Sequence, residues 1–233
     1  MDNLQKKILF FLLFFALVLI GQQVNFSPLL GVDNQFFTLF QFFGPIAGGF
    51  LGPLYGAIVV MFSQAADFFI VGKEATWLNL LRFLPMIFAA YYFGSKKEYV
   101  ALVPLAGIAL FVLHPVGREV WFYSLFWLIP VLAAMWPEKM KGKLLFRSVG
   151  STFTAHAVGG AIWIWTVPMT AEQWVSLIPI VAYERVLFAL GIAGSYIMLS
   201  TVLDYVVEKW KISLPSFLWV EKKYSLLSVV KKS

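Results

Sequence analysis

Ionisable and aromatic side chains stand inside apolar stretches of this sequence, where they could bind a ligand or move a proton. His156 lies near the middle of the apolar stretch STFTAHAVGGAIWIWTVP, and Trp163 and Trp165 lie near its end. Imidazole, carboxylate and guanidinium groups are costly inside a bilayer, so they usually face a bundle interior or a wet cavity. The further polar side chains that we select as substrate-binding candidates are Asp67, Asn79, Arg82, Tyr183 and Glu184.

The composition is that of an integral membrane protein. The chain is 61% hydrophobic and 13% charged, with a mean hydropathy of +0.82, whereas soluble domains are about a quarter charged. We expect a single transmembrane domain over residues 1–233 in the cell membrane. The net charge of +6 lies in loops and chain ends, so no nucleic-acid partner is expected. The absence of cysteine excludes disulfides and thiolate chemistry.

Apolar lengths and turn signals predict an all-α fold, a polytopic transmembrane helix bundle. It has six full spans plus a short Gly/Pro-rich hairpin, or eight segments. The candidate segments lie at about 7–24, 36–51, 54–71, 77–94, 99–115, 120–136, 146–166 and 176–207. Residues 36–71 are either two short spans or one re-entrant hairpin, and both return the chain to the same side.

Three glycines of that region, Gly48, Gly52 and Gly56, recur every four residues. This small-residue spacing predicts close helix packing. An equally weighted interpretation is a pair of broken helices beside a substrate site, as in many transporters.

The basic residues predict the orientation through the positive-inside rule. With a cytoplasmic N-terminus, all the basic clusters fall inside, and the outer loops keep only the single residues Lys73 and Arg118. Both termini are therefore predicted to be cytoplasmic, with a basic tail at about 208–233. The inside clusters are Lys6, Lys7, Lys96, Lys97, Lys139, Lys141, Lys143, Arg147, Lys209, Lys211, Lys222, Lys223, Lys231 and Lys232.

In this orientation most intramembrane polar groups are displaced toward the outer face, and their shared depth predicts one outward-facing pocket with His156 as its floor. The alternatives are that His156 only hydrogen-bonds a neighbouring helix and that Trp163 and Trp165 are interfacial anchors. Glu184 and Arg185 are adjacent and point about 100° apart on a helix. They are thus not expected both to pair with each other and to face one pocket, and one could instead pair with Arg82 or Asp67.

Enzyme motifs are mostly absent. Among His114, His156, Asp67 and Glu184 no two residues lie at i, i+4, and no HExxH, GxSxG or Walker A sequence occurs. We therefore expect no metal, no cofactor and no ATP hydrolysis by this chain.

The segment FFGPIAGGFLGPLYGAIVVMFSQAADFFI, with STFTAHAVGG and IPIVAYERVLFALGIA in the back half, resembles the S components of energy-coupling factor vitamin transporters. The resemblance implies a six-helix bundle that binds one vitamin or related micronutrient from outside. It also implies docking on a transmembrane T component that carries two ATPase subunits. The implied pocket would draw on Asp67, His156, Trp163, Trp165, Tyr183 and Glu184.

Two features depart from that family. The number of apolar segments is high for it. The first helix lacks its usual small-residue docking face, because Ala16 and Gly21 are off the spacing. Either Gly48, Gly52 and Gly56 supply that face, or the chain does not use the shared ATPase module.

Three functions therefore compete at this point. The leading one is the substrate-binding subunit of a small-molecule importer, which is not itself an enzyme. The second is an intramembrane enzyme that uses His156, His114 and Glu184 as acid–base or metal-binding groups on a lipid-type substrate. The third is a small channel or a structural membrane protein.

Overall fold

The computed structural model describes residues 3–28, 36–210 and 218–230. Lys211, Lys231 and Lys232 of the predicted basic tail lie outside the described residues, as do the side chains of Lys6 and Lys7. The described chain is almost entirely helical, which confirms the all-α prediction.

The elements follow one another closely along the chain. In order they are α1 (Asn3–Gln22), β1 (Asn25–Pro28), β2 (Phe36–Thr38), α2 (Phe40–Leu51), α3 (Pro53–Val71), α4 (Trp77–Leu81), α5 (Leu84–Gly94), a 3-10 helix (Glu98–Ala101), α6 (Leu102–Leu113), α7 (Pro115–Glu119), a 3-10 helix (Trp121–Trp127), α8 (Leu128–Met135), α9 (Lys143–Thr166), α10 (Ala171–Ser176), α11 (Ile178–Trp210), a 3-10 helix (Lys222–Tyr224) and α12 (Leu226–Val230).

Each predicted segment contains a helix, but several differ in detail. The segment predicted at 36–51 begins as the strand β2, which pairs antiparallel with β1 in a short ribbon that the hydropathy pattern did not predict. The segment at 77–94 is interrupted after α4, and α5 restarts with Pro85 in its first turn, where a missing N–H costs nothing. The segments at 99–115 and 120–136 both begin as 3-10 helices.

Two of the described helices, Pro53–Val71 and Ile178–Lys209, are long and apolar enough to cross a membrane. The helix α2 has 12 residues, which is about 18 Å at 1.5 Å per residue and short of a hydrocarbon core of about 30 Å. Since α2 turns directly into α3 at Gly52, these two helices form a hairpin with one short arm.

Two apolar cores meet along the molecule. One packs α1, α2, α3, α5 and α11 around residues such as Val18, Phe50 and Phe93. The other is aromatic, contains Tyr123 and Trp127, and packs α6 and α8 against α9. Both α5 and α11 contact α2 and α9, so they join the two cores.

Glycines allow the hairpin to close. Gly52 has a φ of +82° at the turn, a conformation that glycine adopts without strain. A Cβ on Gly56 would lie 2.3 Å from the Gly48 Cα, and a Cβ on Gly94 would lie 2.4 Å from the Gly48 carbonyl oxygen. Gly48 and Gly56 thus face each other inside the bundle, where a partner protein cannot reach them.

The helix turns collect at two ends of the bundle. At one end the Trp219 amide donates to the Phe50 carbonyl, and Arg147 pairs with Glu221. We call this the basic end, because Lys96, Lys143 and Arg147 line its cavities. At the other end, the Asp67 end, Asp67 accepts hydrogen bonds from Gln23 and Lys73.

Candidate functional site

His156 is held by two hydrogen bonds from the 3-10 helix that precedes α8. The Trp127 Nε1–H donates to His156 Nδ1 at 2.9 Å, and His156 Nε2 lies 3.2 Å from the Tyr123 hydroxyl. Because an indole nitrogen can only donate, Nδ1 carries no proton. The imidazole is therefore the neutral Nε2–H tautomer, and its N–H donates to the Tyr123 oxygen.

Arg185 is a buried cation on α11, the helix that packs against the His156 helix α9. Its side chain is 4% exposed, and Nη2 pairs with Glu184 Oε2 at 3.2 Å. Its Nη1 lies 3.5 Å from Thr152 Oγ1, one helical turn from His156 on α9. The guanidinium also lies over the rings of Phe188 and Phe37, at 4.5 and 5.3 Å from their centroids.

These groups form one assembly, the Arg185 cluster, which consists of Tyr123, Trp127, Thr152, His156, Glu184 and Arg185. The neighbouring pair Glu184–Arg185 does form an ion pair, and neither residue joins Arg82 or Asp67 as one alternative had it. The side chains of Glu184 and Arg185 are long enough to meet, although adjacent residues on a helix point about 100° apart.

Two buried donors beside this cluster have no hydrogen-bond partner among the described residues. They are the Nε of Arg185 and the Nε1 of Trp174. Trp174 packs edge-on against Tyr123 at a centroid distance of 5.0 Å. Because unpartnered buried donors are costly, they mark a place where a ligand oxygen or a water molecule would be stabilised.

Arg82, Asn79 and Trp163 come together near the Asp67 end. The Arg82 guanidinium lies 5.1 Å from the Trp163 ring centroid, and its Nη1 donates to Asn79 Oδ1 at 3.4 Å. Trp163 is seven residues after His156 on α9, so both lie on the same side of that helix. The predicted residues Arg82, Asn79 and Trp163 thus lie about two turns beyond His156.

Asp67 lies apart from the Arg185 cluster. It is 7% exposed and bonds to Gln23 Nε2 at 2.9 Å and Lys73 Nζ at 2.7 Å. These bonds tie the end of α1 to the end of α3, which is a structural role.

Two predicted site residues point away from the bundle. Tyr183 is 70% exposed and Trp165 is 54% exposed. The Trp165 indole donates to the Leu110 carbonyl and contacts the His114 ring edge-on at 5.0 Å. These positions suit anchoring at a membrane interface better than contact with a ligand held by Arg185.

Sequence reasoning missed Tyr123, Trp127, Trp174 and Phe37 as parts of this site. Tyr123 and Trp127 stand four apart in the run WFYSLFW, a helical spacing, but aromatic residues surround them in every direction. Hydropathy alone does not distinguish them from core residues. Within the described residues, no three His, Asp or Glu side chains come together as metal ligands.

Two cavities among the described residues lie at the basic end. At the Arg185 cluster, Tyr123, Trp127 and Phe188 are almost completely buried. Entry of a ligand there therefore requires the covering elements to move, and the ribbon that carries Phe37 is one of them.

Comparisons with known proteins identify no characterised family. The chain is 27% identical over 218 residues to an uncharacterized protein of the archaeon Methanocaldococcus jannaschii, covering 78% of this chain and 73% of that protein. No family model matches the sequence. No solved structure matches it either.

Proposed function

We propose that this chain is the membrane-embedded substrate-binding subunit of a small-molecule importer, and that its ligand binds at the Arg185 cluster from outside the cell. The observation that carries the proposal is a buried Arg–Glu pair beside a neutral histidine, inside a bundle of apolar helices. Ionisable groups are rare at such positions, and where they occur they usually mark a substrate pathway. The resemblance to energy-coupling factor S components points to the same class of protein.

The proposed topology is multi-pass, with the basic end in the cytoplasm. The lysines at 96, 97, 139, 141, 143, 222 and 223 supply most of the positive charge of that end. Under the positive-inside rule the Asp67 end then faces outward, and the β1–β2 ribbon and Trp163 lie between the Arg185 cluster and the exterior.

The cluster fits a small, flat, water-soluble heterocycle with a polar edge. The Arg185 Nε–H can donate to a ligand oxygen, and the Glu184 carboxylate can accept from a ligand N–H. Phe37 and Phe188 offer aromatic faces beside these groups. A vitamin or related micronutrient has this combination of a ring and a polar edge.

The proposal extends to an ATP-hydrolysing partner, a transmembrane T component with two ATPase subunits. The partner's contact face must lie elsewhere than Gly48 and Gly56, because both glycines are enclosed. The exposed apolar face of α1, which includes Leu12, Leu13 and Ile20, is available for such a contact.

The first test is to purify the protein in mild detergent, denature it, and identify released small molecules by mass spectrometry. We expect a stoichiometric heterocycle, and adding that compound back should raise the melting temperature. Recovery of lipid alone, with no heterocycle that stabilises the protein, would contradict the importer proposal.

Matched carboxylate variants then locate the site. Glu184→Gln should weaken binding of the recovered compound by about tenfold or more, because it removes a charged acceptor from a buried site. Glu172→Gln makes the same change in an exposed residue of α10 and should leave binding unchanged. Equal effects of both variants would place the ligand elsewhere.

A further inference from the structure

The basic end holds a cavity of about 240 Å³ that the importer proposal does not use. Its walls come from the ends of α2 and α5, the first turns of α9, and the tail residues Leu218–Glu221. The lining residues are Gly49, Gly94, Lys96, Arg147, Leu218, Trp219, Val220 and Glu221.

Arg147 is the central group of this cavity. The side chain is 5% exposed, and Nη1 pairs with Glu221 Oε1 at 2.8 Å. The Nε and Nη2 of Arg147 are buried without a hydrogen-bond partner in the described chain. Its Cζ lies 4.3 Å from the Phe93 ring centroid, and this packing holds the guanidinium in place. Arg147 thus lines the cavity with a guanidinium that keeps unpartnered donors at a fixed place.

The charge of the lining is positive. Lys96 and Arg147 contribute two cations, whereas Glu221 is the single carboxylate, and Lys223 also pairs with it at 2.9 Å. Lys96 is exposed, and its Nζ lies 6.0 Å from the Trp219 ring centroid. A second, smaller cavity next to it shares Lys96 and Arg147 and adds Lys97 and Lys143.

We propose that this cavity binds a phosphate group, with Arg147 as the buried donor and Lys96 as the cation at its mouth. A guanidinium with two unpartnered nitrogens, Nε and Nη2, has N–H donors for the oxygens of a phosphate, and a nearby ammonium adds charge. The phosphate belongs either to a free anion or to the headgroup of an anionic lipid, because both present the same oxygens. This site lies at the end opposite the proposed ligand entrance and does not depend on the importer proposal.

The test uses the purified full-length protein with inorganic phosphate as the probe, followed by tryptophan fluorescence during thermal unfolding. Chloride at equal ionic strength is the reference, since general screening affects both salts alike. We expect phosphate to raise the melting temperature in a saturable way.

The second arm uses nanodiscs of phosphatidylcholine with and without phosphatidylglycerol, in phosphate-free buffer. Stabilisation by free phosphate assigns a free-anion site, and stabilisation only by phosphatidylglycerol assigns a headgroup site. If neither probe stabilises the protein beyond its reference, the proposal is wrong.

Three variants test whether the stabilisation by phosphate or by phosphatidylglycerol arises at this cavity. Arg147→Lys keeps the charge that pairs with Glu221 but loses donors, so it should weaken the phosphate-dependent effect at least about tenfold. Lys96→Ala should weaken it about fivefold, as expected for a partly exposed ion pair. Lys139→Ala removes an equal charge from the same end at a position that lines neither cavity, and it should leave the effect unchanged. If Lys139→Ala weakens the effect as much as Lys96→Ala, binding is non-specific and the proposal fails.

Discussion

At the scale of single residues, the side chains around His156 determine its chemical state. The Trp127 indole points its N–H at Nδ1, and a protonated imidazole would place a second N–H against it. Tyr123 receives the remaining N–H. His156 is therefore a neutral donor that orients Tyr123, and its predicted place at the floor of a ligand pocket stays a prediction.

We expect Trp127→Phe to destabilise the protein by about 1–3 kcal/mol, because His156 Nδ1 then remains buried without a donor. Trp121→Phe is the matched control, since Trp121 is 54% exposed, and its effect should stay within about 0.5 kcal/mol. Thermal unfolding in detergent measures both. Similar losses in the two variants would contradict the hydrogen-bond assignment.

At the scale of elements, the basic end is built from the α2–α3 hairpin and from the tail segment that packs against it. The α2–α3 hairpin closes on glycines, and the tail segment at 218–228 docks beneath it. That segment is anchored by the Trp219 amide on Phe50, by Glu221 on Arg147, and by the Ser225 hydroxyl on Asp204 at 2.6 Å. The predicted cytoplasmic tail is thus partly a packed element.

Gly56→Ala should destabilise the protein by at least about 2 kcal/mol, because the new methyl group overlaps the Gly48 backbone and forces the hairpin apart. Gly194→Ala on α11 is the control. Its Cβ would meet no heavy atom within 4 Å, so alanine should be neutral or stabilise the helix by up to roughly 1 kcal/mol. Melting temperatures of the two variants should therefore shift in different directions or by clearly different amounts.

The docked tail should be released by acid. Burial raises the pKa of the Glu221 carboxyl, but the charge and hydrogen bonds of Arg147 and Lys223 outweigh burial, so this pKa lies below its ordinary value. The stabilisation is thus present above the ordinary glutamate pKa of about 4.3 and is lost as the pH falls through the lowered value.

Trp219 fluorescence or limited proteolysis of the tail should report this release below about pH 4. Glu221→Gln should loosen the tail at neutral pH and flatten the pH profile. Glu98→Gln, an exposed residue, is the control and should retain the acid transition. A transition that Glu221→Gln leaves intact would assign the release to another group.

At the scale of the whole molecule, charge and polarity are arranged along the bundle axis. Lysines surround the basic end, the Arg185 cluster lies near the middle of α9, and Asp67, Arg82 and Trp163 lie toward the other end. The helix α9 is the axis of this arrangement, because Arg147, Thr152, His156 and Trp163 follow one another along it.

The absence of native cysteine makes the proposed orientation directly measurable. In intact cells, a membrane-impermeant maleimide should label Glu172→Cys, near the Asp67 end, and spare Lys139→Cys, at the basic end. Both should react after the membrane is opened. The reverse pattern would invert the topology and move the Arg185 cluster to the cytoplasmic side.

The sequence by itself determined the helical class, the approximate position of the longer helices among the described residues, and the placement of the lysine clusters in turns and in the tail. These follow from local properties: apolar length, turn residues and the placement of lysine. Asp67, Arg82 and His156 could also be selected from sequence, because a polar residue in an apolar stretch is visible without knowledge of its neighbours.

Only the tertiary structure decided which of these residues meet. Glu184 and Tyr183 are adjacent in sequence, yet one is buried against Arg185 and the other is 70% exposed. Tyr123 and Trp127 become partners of His156, and Glu221 reaches Arg147 across 74 positions of the chain. Helix rotation and long-range packing set these pairings, and neither is encoded in the local hydropathy of a segment.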